Sequence, residues 1–266
     1  MRTTRIDILT LFPDYFRGPL TVSMVKRAVD KKALDLRVHD LRAFTTDKRN
    51  TADDVPFGGG AGMVMKPEPL LKAIAAIKKG RKKVRTLLMS PQGKTFDHSM
   101  ALSLAEEKSL LFVCGHYEGL DERVMGCIDG EVSLGDYVLT GGEPAAAVII
   151  DSLARFLPGV VGDKRSVERD SFFNGLLDYP HYTRPRVFKG MQVPEVLLSG
   201  NHARIERWRQ KESLRNTLLK RPDLLERVVL TEEQQELLDE VRGEMENQTK
   251  SQPPKARGTR AGGKKK

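Results

Sequence analysis

The sequence has few cysteines and no long apolar run. Among 266 residues only Cys114 and Cys127 are cysteines, which excludes a small fold held together by several disulfides. The longest uninterrupted apolar run, Ala145–Ile150, has six residues, whereas a membrane-spanning helix needs about 20. We therefore expect no membrane partner.

Export signals are also missing from the N-terminal stretch. Its one apolar run, Arg5–Leu11, contains the charged Asp7 and does not resemble the hydrophobic region of a secretory signal. We therefore expect a cytoplasmic protein with two reduced thiols. The five histidines are scattered and do not make a zinc site with the cysteines at the usual spacing.

The remaining composition is that of an ordinary globular protein. Hydrophobic residues make up 39%, and the 23 glycines and 14 prolines fall well short of a low-complexity chain. The length is enough for one large domain or two, with a core that needs no staples.

Positive charge is concentrated in two segments. The net charge is +9, yet residues 181–221 and 249–266 each contribute +7, which leaves −5 on the rest of the chain. This distribution suggests a polyanionic partner, usually nucleic acid. For the tail, improved solubility is an equally good explanation.

The hydrophobic pattern alternates between strands and helices in the first half. Strands are predicted at Arg5–Leu11, Leu34–Val38, Val84–Met89 and Leu110–Cys114. Helices are predicted around 24–29 and over 67–79, 97–107 and 144–157, so that βαβ units and a parallel sheet follow. Residues 158–185 resemble a linker, and helices over 201–220 and 232–244 come after it.

Two phosphate-binding motifs are partly present in the sequence, and each lacks a required glycine. Gly93-Lys94-Thr95 ends like a Walker A loop, but Leu88 stands where that loop requires glycine. The glycines between Phe57 and Gly62 miss the dinucleotide fingerprint because its third glycine would fall at Met63.

Three glycine-containing loops each follow a predicted strand. They are residues 90–93, 115–119 and 134–144. Ligands of open parallel sheets bind at the carboxyl ends of strands, where such loops meet. Any one of them alone would be an ordinary turn.

Three further features are open to more than one interpretation. His116 is a general base, a metal ligand or a polar loop residue, and the last is the default because no carboxylate accompanies it at a diagnostic spacing. Asp170 by itself is a solvated linker acid. The basic residues of the helix over 201–220, beside Trp208 and His202, form a solvated face or an RNA-binding surface.

As an ordered set, these blocks closely resemble the bacterial tRNA (guanine-N1)-methyltransferases of the knotted SPOUT superfamily. The resemblance covers about residues 3–245, and no single block is specific by itself. The matching blocks are Leu11–Pro13, Phe57–Met63, Ser90–Gly93, Cys114–Arg123, Gly135–Glu143, Asp170–Phe172, Pro180–Pro185 and Leu197–His202.

The resemblance implies an α/β fold with a parallel sheet and a deep trefoil knot over about 87–139, followed by a small all-α C-terminal domain. It implies a knotted domain over 1–160 that binds S-adenosylmethionine and a linker over 161–180 that carries the catalytic acid. A helical tRNA-binding domain over 181–248 and a disordered basic tail over 249–266 complete the expected organisation. The family is homodimeric, with active sites shared between protomers.

The activity implied is methyl transfer from S-adenosylmethionine to N1 of guanine at tRNA position 37, in the anticodon stem-loop. By similarity Asp170 is the general base, Arg155 the essential arginine, and Glu118 an acid near the methionine end of the cofactor. Mg²⁺ is suggested by the family, without identifiable ligands in this sequence. The residues expected to bind the cofactor are Ser90, Pro91, Gln92, Gly115, Glu118, Leu134, Gly135, Asp136, Tyr137, Val138, Leu139, Gly141, Gly142 and Pro144.

Two alternatives remain at this point. One is a knotted RNA 2′-O-ribose methyltransferase, and the other is a non-catalytic RNA-binding module that keeps the fold. Residues 251–266 lie beyond the usual end of the family, and we interpret them as a nonspecific RNA tether.

Overall fold

The computed structural model describes residues 2–162 and 169–251, with side chains described up to residue 247. Its strands are β1 Thr4–Thr10, β2 Leu34–Asp40, β3 Asp53–Asp54, β4 Val64–Met65, β5 Arg85–Thr95, β6 Ser109–Cys114, β7 Gly130–Ser133, β8 Val187–Phe188 and β9 Met191–Gln192. Its α-helices are α1 Ser23–Asp30, α2 Pro67–Lys78, α3 His98–Glu106, α4 Glu143–Ala154, α5 His202–Lys220, α6 Pro222–Leu225 and α7 Glu232–Ser251. Short 3-10 helices cover Pro13–Arg17, Leu41–Phe44, Glu122–Cys127 and Glu195–Leu198.

The chain divides into two compact units, Met1–Val167 and Glu168–Lys266. The division falls inside the segment 161–180 that the sequence marks as a linker. Part of that segment, 163–168, and most of the predicted tail, 252–266, lie outside the described residues. Helix α7 continues through Ser251, past residue 249 where the tail was predicted to start.

The first unit is built on a five-stranded parallel sheet in the order β2-β1-β6-β5-β7. This confirms the predicted α/β class. Helix α3 connects β5 to its parallel neighbour β6, which is the βαβ unit predicted from the two apolar strands around residues 97–107. The prediction for β5 was too short, since this strand continues beyond Met89 to Thr95.

Alternation along the central strand β6 divides the core between the two faces of the sheet. Leu110, Phe112 and Cys114 join one cluster, which includes residues of α1 and α4. Leu111 and Val113 join a second cluster, which includes residues of α2. Because both faces are covered, β6 is a continuous apolar run instead of an alternating one.

Helix α2 covers the second face with one apolar stripe. Pro67 occupies its first turn, where a missing N–H costs nothing. Leu70, Ala73, Ile74 and Ile77 are buried at helical spacing and form the apolar face of the helix.

Asp7 is a fully buried carboxylate in the middle of β1. Arg5 donates two hydrogen bonds of 2.9 Å to it, Arg81 donates one of 2.6 Å, and Nε2 of His39 lies 2.7 Å away. Burial would raise the pKa of Asp7, but hydrogen bonds from His39, Arg5 and Arg81 outweigh it and hold that pKa far below its ordinary value. The cluster joins β1, β2 and the segment after α2.

The second unit has its own small core. Leu176, Leu214, Leu237 and Leu238 are buried together between α5, α7 and the segment before α5. Buried Thr217 accepts a 2.9 Å hydrogen bond from the backbone N–H of Leu177 and so holds that segment against α5.

The expectation of an all-α C-terminal domain is wrong in one respect. Strands β8 and β9 pair antiparallel as a two-residue hairpin. Lys189 and Gly190 form its turn at φ 49° and 80°, the left-handed geometry that tight hairpins require. The hairpin is too short to show as a period-two pattern in the sequence.

No helix in the described ranges is both long and apolar enough to cross a bilayer.

We predict that Asp7→Asn destabilises the protein by about 3–5 kcal/mol at pH 7, because it leaves the partly buried guanidinium groups of Arg5 and Arg81 without their carboxylate. Since the pKa of Asp7 is depressed on folding, its contribution is complete above about pH 4 and is lost as the pH falls below that value. Urea unfolding at pH 7 and at pH 3 measures the cost of the substitution and its pH dependence. Between pH 7 and pH 3 the free energy of unfolding should fall less in the variant than in the parent. The control Asp35→Asn removes an exposed pair with Arg37 and should cost less than about 1 kcal/mol; equal losses in the two variants would contradict the assignment.

Candidate active site

A cleft of about 350 Å³ lies where β5, β6 and β7 end. This volume falls in the range of small-molecule sites. The walls come from the three loops that the sequence singles out, together with residues at the ends of the strands. Lining residues include Leu88, Met89, Tyr117, Gly119, Leu120, Glu122, Met125, Glu131, Val132, Ser133, Thr140 and Ala145 in addition to the predicted residues given below.

The first wall is an excursion within β5. Met89 and Lys94 are both partners of Val132, so residues 90–93 leave the ladder and return to the same point. A β-carbon on Gly93 would overlap the backbone of Glu131 and Val132. Glycine at this position therefore lets the excursion lie directly against β7, with Ser90, Pro91 and Gln92 lining the cleft.

The second wall follows β6. Tyr117 and Gly119 take left-handed backbone angles of φ 60° and 133°, which turn the chain sharply. The backbone N–H of Glu118 donates to the carbonyl of Met63 at 3.1 Å. A β-carbon on Gly62 would overlap the Glu118 side chain, so the glycine-rich segment 57–62 lies against the acid of this wall.

The third wall, residues 134–142, returns from β7 and crosses the ends of β5 and β6. The N–H of Gly142 donates to the carbonyl of Gly115 at 2.9 Å, and Gly141 forms an antiparallel bridge with His116. A β-carbon on Gly142 would lie 2.8 Å from Cα of Cys114 and from Cβ of Met89. No larger residue fits this crossing without displacing backbone.

A buried hydrogen-bond chain lies behind the third wall. Glu143, whose side chain is 4% exposed, accepts from the Thr10 hydroxyl at 2.5 Å and lies 2.9 Å from Nε2 of His116. The Thr10 hydroxyl in turn accepts from the backbone N–H of Phe12 at 2.8 Å. The Phe12 ring stacks near His116 with centroids 4.6 Å apart. This chain ties the start of α4 to β1 and to the second wall.

Sequence reasoning missed the role of Glu143. His116 was interpreted as a polar loop residue because no carboxylate accompanies it at a diagnostic spacing, but Glu143 supplies one from 27 residues away. The available signal was the position of Glu143 directly after two glycines and before an apolar helix. An acid at such a position is expected to be buried, and a buried charged group usually needs hydrogen-bond partners.

The cleft is acidic. Glu118, Glu122 and Glu131 line it, and no lysine or arginine is among its lining residues in the described part of the chain. Such a lining attracts a cationic ligand and repels phosphates. Burial, followed by the charge of Glu143, raises the pKa of Cys114 well above its ordinary value, so this thiol stays neutral behind the cleft.

Most of the predicted cofactor residues line this cleft, although their role as cofactor ligands stays a prediction. Gly135, Asp136 and Pro144 belong to the same segments but are not among the lining residues. Eleven of the fourteen do line it, namely Ser90, Pro91, Gln92, Gly115, Glu118, Leu134, Tyr137, Val138, Leu139, Gly141 and Gly142.

The two predicted catalytic residues lie in different units. Arg155 is an exposed residue at the C-terminal end of α4 in the first unit. Asp170 belongs to the second unit, where it lines a smaller cavity of about 140 Å³ together with Tyr179, Arg209 and Gln210. Their catalytic roles stay predictions.

Ion pairs occupy much of the basic face of α5. Arg207 pairs with Glu240 at 2.5 Å, and Arg215 pairs with Glu244 at 2.5 Å. Lys211 lies 2.8 Å from Glu240 and 2.7 Å from Glu244. These cations hold α7 against α5, while Arg207 stays 47% exposed; the RNA-binding role of this face stays a prediction.

The described residues contain no group of three or more His, Cys, Asp or Glu side chains arranged to hold a metal ion. The Mg²⁺ suggested by the resemblance is therefore without assigned ligands.

Comparison with known proteins gives a consistent result. The family model for tRNA (Guanine-1)-methyltransferase TrmD matches residues 4–227. A tRNA (guanine-N(1)-)-methyltransferase of Dictyoglomus turgidum is 54% identical over 241 residues, which covers 91% of this chain and 98% of that protein. Proteins with the same name from Dehalococcoides mccartyi and Leuconostoc mesenteroides are 53% and 54% identical, over 90% of this chain and 98% and 99% of theirs.

We predict that Gly142→Ala destabilises the first unit by about 1–3 kcal/mol, because the added methyl group must displace the backbone of Cys114. Gly162→Ala is the matched control, since its β-carbon would meet nothing within 4 Å. Urea unfolding of both variants measures the difference. A Gly142→Ala variant as stable as the control would show that the crossing is looser than described.

Proposed function

The chain belongs to the tRNA (guanine-1)-methyltransferase family, and we propose that it transfers a methyl group from S-adenosylmethionine to N1 of guanine at position 37 of tRNA. The observation that carries the proposal beyond family membership is the acidic, glycine-walled cleft at the ends of β5, β6 and β7. Its residues suit a small cationic ligand far better than a nucleotide phosphate.

The cleft residues fit S-adenosylmethionine by charge and by close backbone approach. When bound, this co-substrate supplies an electrophilic methyl group on a sulfonium cation. Glu118, Glu122 and Glu131 offer carboxylates to its positive groups. Gly115 and Gly141 line the cleft and have no side chains of their own, which lets a flat ring approach the backbone closely.

Asp170 is proposed as the general base. N1 of guanine carries a proton at neutral pH, and its lone pair is delocalised, so attack requires removal of that proton by a positioned acceptor. The Asp170 carboxylate would accept the N1 proton as the new N–C bond forms. No covalent enzyme intermediate is needed.

Arg155 is proposed to stabilise the charge that moves onto guanine O6 as N1 loses its proton. A guanidinium is a permanent cation with several donors, so it can hold a developing oxyanion without taking part in proton transfer. This role rests on family analogy together with the position of Arg155 on the surface of the first unit.

The family likeness also supports a trefoil knot over about 87–139, a homodimer with shared active sites, an anticodon stem-loop substrate and a cytoplasmic location, all of which we include in the proposal. The crossing of residues 134–142 over the ends of β5 and β6 is the kind of geometry that a knot requires. We also retain residues 181–248 as the tRNA-binding domain, with Asp170 in the linker before it.

We expect the full-length protein to place labelled methyl on unmodified tRNA transcripts that carry guanine 3′ of the anticodon. Nucleoside analysis should yield 1-methylguanosine, and a transcript with adenine at that position should accept no label. A 2′-O-methyl product would replace the proposal with ribose methylation, and RNA binding without any transfer would indicate a non-catalytic module.

Asp170→Asn should lower kcat by about 10²–10⁴-fold, because the amide cannot accept the N1 proton. The dissociation constant for S-adenosylmethionine, measured by calorimetry, should remain unchanged. The control Asp14→Asn removes an exposed acid paired only with Arg17 and should leave kcat as it is. Unaltered turnover in Asp170→Asn at neutral pH would rule out the general-base role.

A further inference from the structure

Residues 181–192 form a segment that is exposed at every position. It consists of the residues that follow Pro180 and of the β8–β9 hairpin. This exposed segment contains an unusual number of large apolar side chains. Phe188 is 56% exposed and Met191 is 65% exposed, and Tyr182 and Val187 are each about half exposed. A cluster of this kind on a folded surface usually marks a binding site.

The hairpin presents these apolar groups in a fixed arrangement. Phe188 and Met191 are cross-strand partners, so their side chains share one face of the hairpin. The N–H of Val193 donates to the carbonyl of Arg186 at 3.0 Å, which extends the pairing by one step. The tight turn at Lys189 and Gly190 keeps the face short and rigid.

Cations alternate with the apolar groups. Arg184, Arg186 and Lys189 lie in the exposed segment, which contains no Asp or Glu. Arg186 reaches Glu195 only at 3.9 Å, whereas Arg184 and Lys189 have no carboxylate within 4.0 Å among the residues the structure describes. Nζ of Lys189 lies 5.5 Å from the centroid of the Phe188 ring.

Among the described residues, the central cations of helix α5, in the same unit, are paired with carboxylates, unlike Arg184 and Lys189. They are Arg207, Lys211 and Arg215, which are paired with acids of α7 at 2.5–2.8 Å. A phosphate would have to break these pairs in order to bind there. In the exposed segment a phosphate would meet Arg184 and Lys189, which have no carboxylate of the described residues in close contact.

We propose that residues 181–192 bind unpaired nucleotides of the tRNA substrate, with Phe188 stacked on a base and Arg184 and Lys189 on neighbouring phosphates. Alternating aromatic and cationic groups are the usual means of holding single-stranded RNA. The proposal rests on the proposed function, because that function supplies RNA as the substrate. A protein-protein interface is disfavoured, because the core of such an interface is depleted of lysine.

Substitutions at Phe188 test the stacking part. We expect Phe188→Leu to weaken binding of an anticodon stem-loop RNA about tenfold, and Phe188→Tyr to retain most of the affinity because it keeps the ring. Binding is measured by fluorescence anisotropy on the full-length protein. A duplex RNA of equal length should bind the parent and both variants alike. Equal stem-loop affinity in Phe188→Leu and the parent would overturn the stacking role.

Charge substitutions test the phosphate contacts. The double variant Arg184→Gln/Lys189→Gln should reduce the slope of log K against log[salt] by about 1.4, or about 0.7 for each single-strand phosphate contact. The control Arg27→Gln/Lys82→Gln removes two exposed cations from the first unit and should leave the slope unchanged. An unchanged slope in the hairpin variant would overturn the phosphate role.

Two further measurements separate this inference from the proposed function. Sedimentation of each variant reports its oligomeric state, and a shift to a smaller species in Phe188→Leu would assign the hairpin to a protein interface and overturn the RNA role. The parent protein is assayed for 1-methylguanosine in parallel. If the parent makes that product while all hairpin variants bind RNA as it does, only the present inference fails; if the parent makes none, the proposed function fails.

Discussion

The first unit depends on one close crossing of the chain. Gly141 and Gly142 carry the segment after β7 across the ends of β5 and β6, at a separation that leaves no room for a β-carbon. Glu143 follows at once and hydrogen-bonds Thr10 of β1 and His116 beyond β6. The crossing and the buried carboxylate together hold the third wall against the second wall and against Met89, the residue before the first wall.

The first unit has an acidic cleft, which suits a cationic ligand, and the second unit has a basic segment, which suits a polyanion. The cleft of the first unit has glutamates and, among the residues that the structure describes, no lysine or arginine in its lining. Residues 181–221 of the second unit have a net charge of +7, but several of the cations on α5 are bound to acids of α7. The net charge of a segment therefore overstates the charge that a partner would meet.

Much of the sheet and its helices could be predicted from local pattern. The apolar runs at β1, β5 and β6 and the stripe on α2 are buried as their periodicity indicates. The errors arose where spacing along the chain is uninformative. The extension of β5 past Met89 depends on Val132 as a partner, and the β8–β9 hairpin is held by too few residues to leave a pattern.

The sequence by itself determined the α/β class, the family and the three segments that wall the cleft, because hydrophobic period and ordered motifs are local properties of the chain. Only the tertiary structure decided which charges are available and which are neutralised. The sequence alone does not distinguish Asp7, Glu143 and Lys211 from charged residues that are exposed and unpaired. Glu143 acquires its role from His116 and Thr10, 27 and 133 positions away, and Asp7 has His39 and Arg81 as partners 32 and 74 positions away in addition to nearby Arg5. Electrostatic energy depends on distance in space and on burial, which no local pattern encodes.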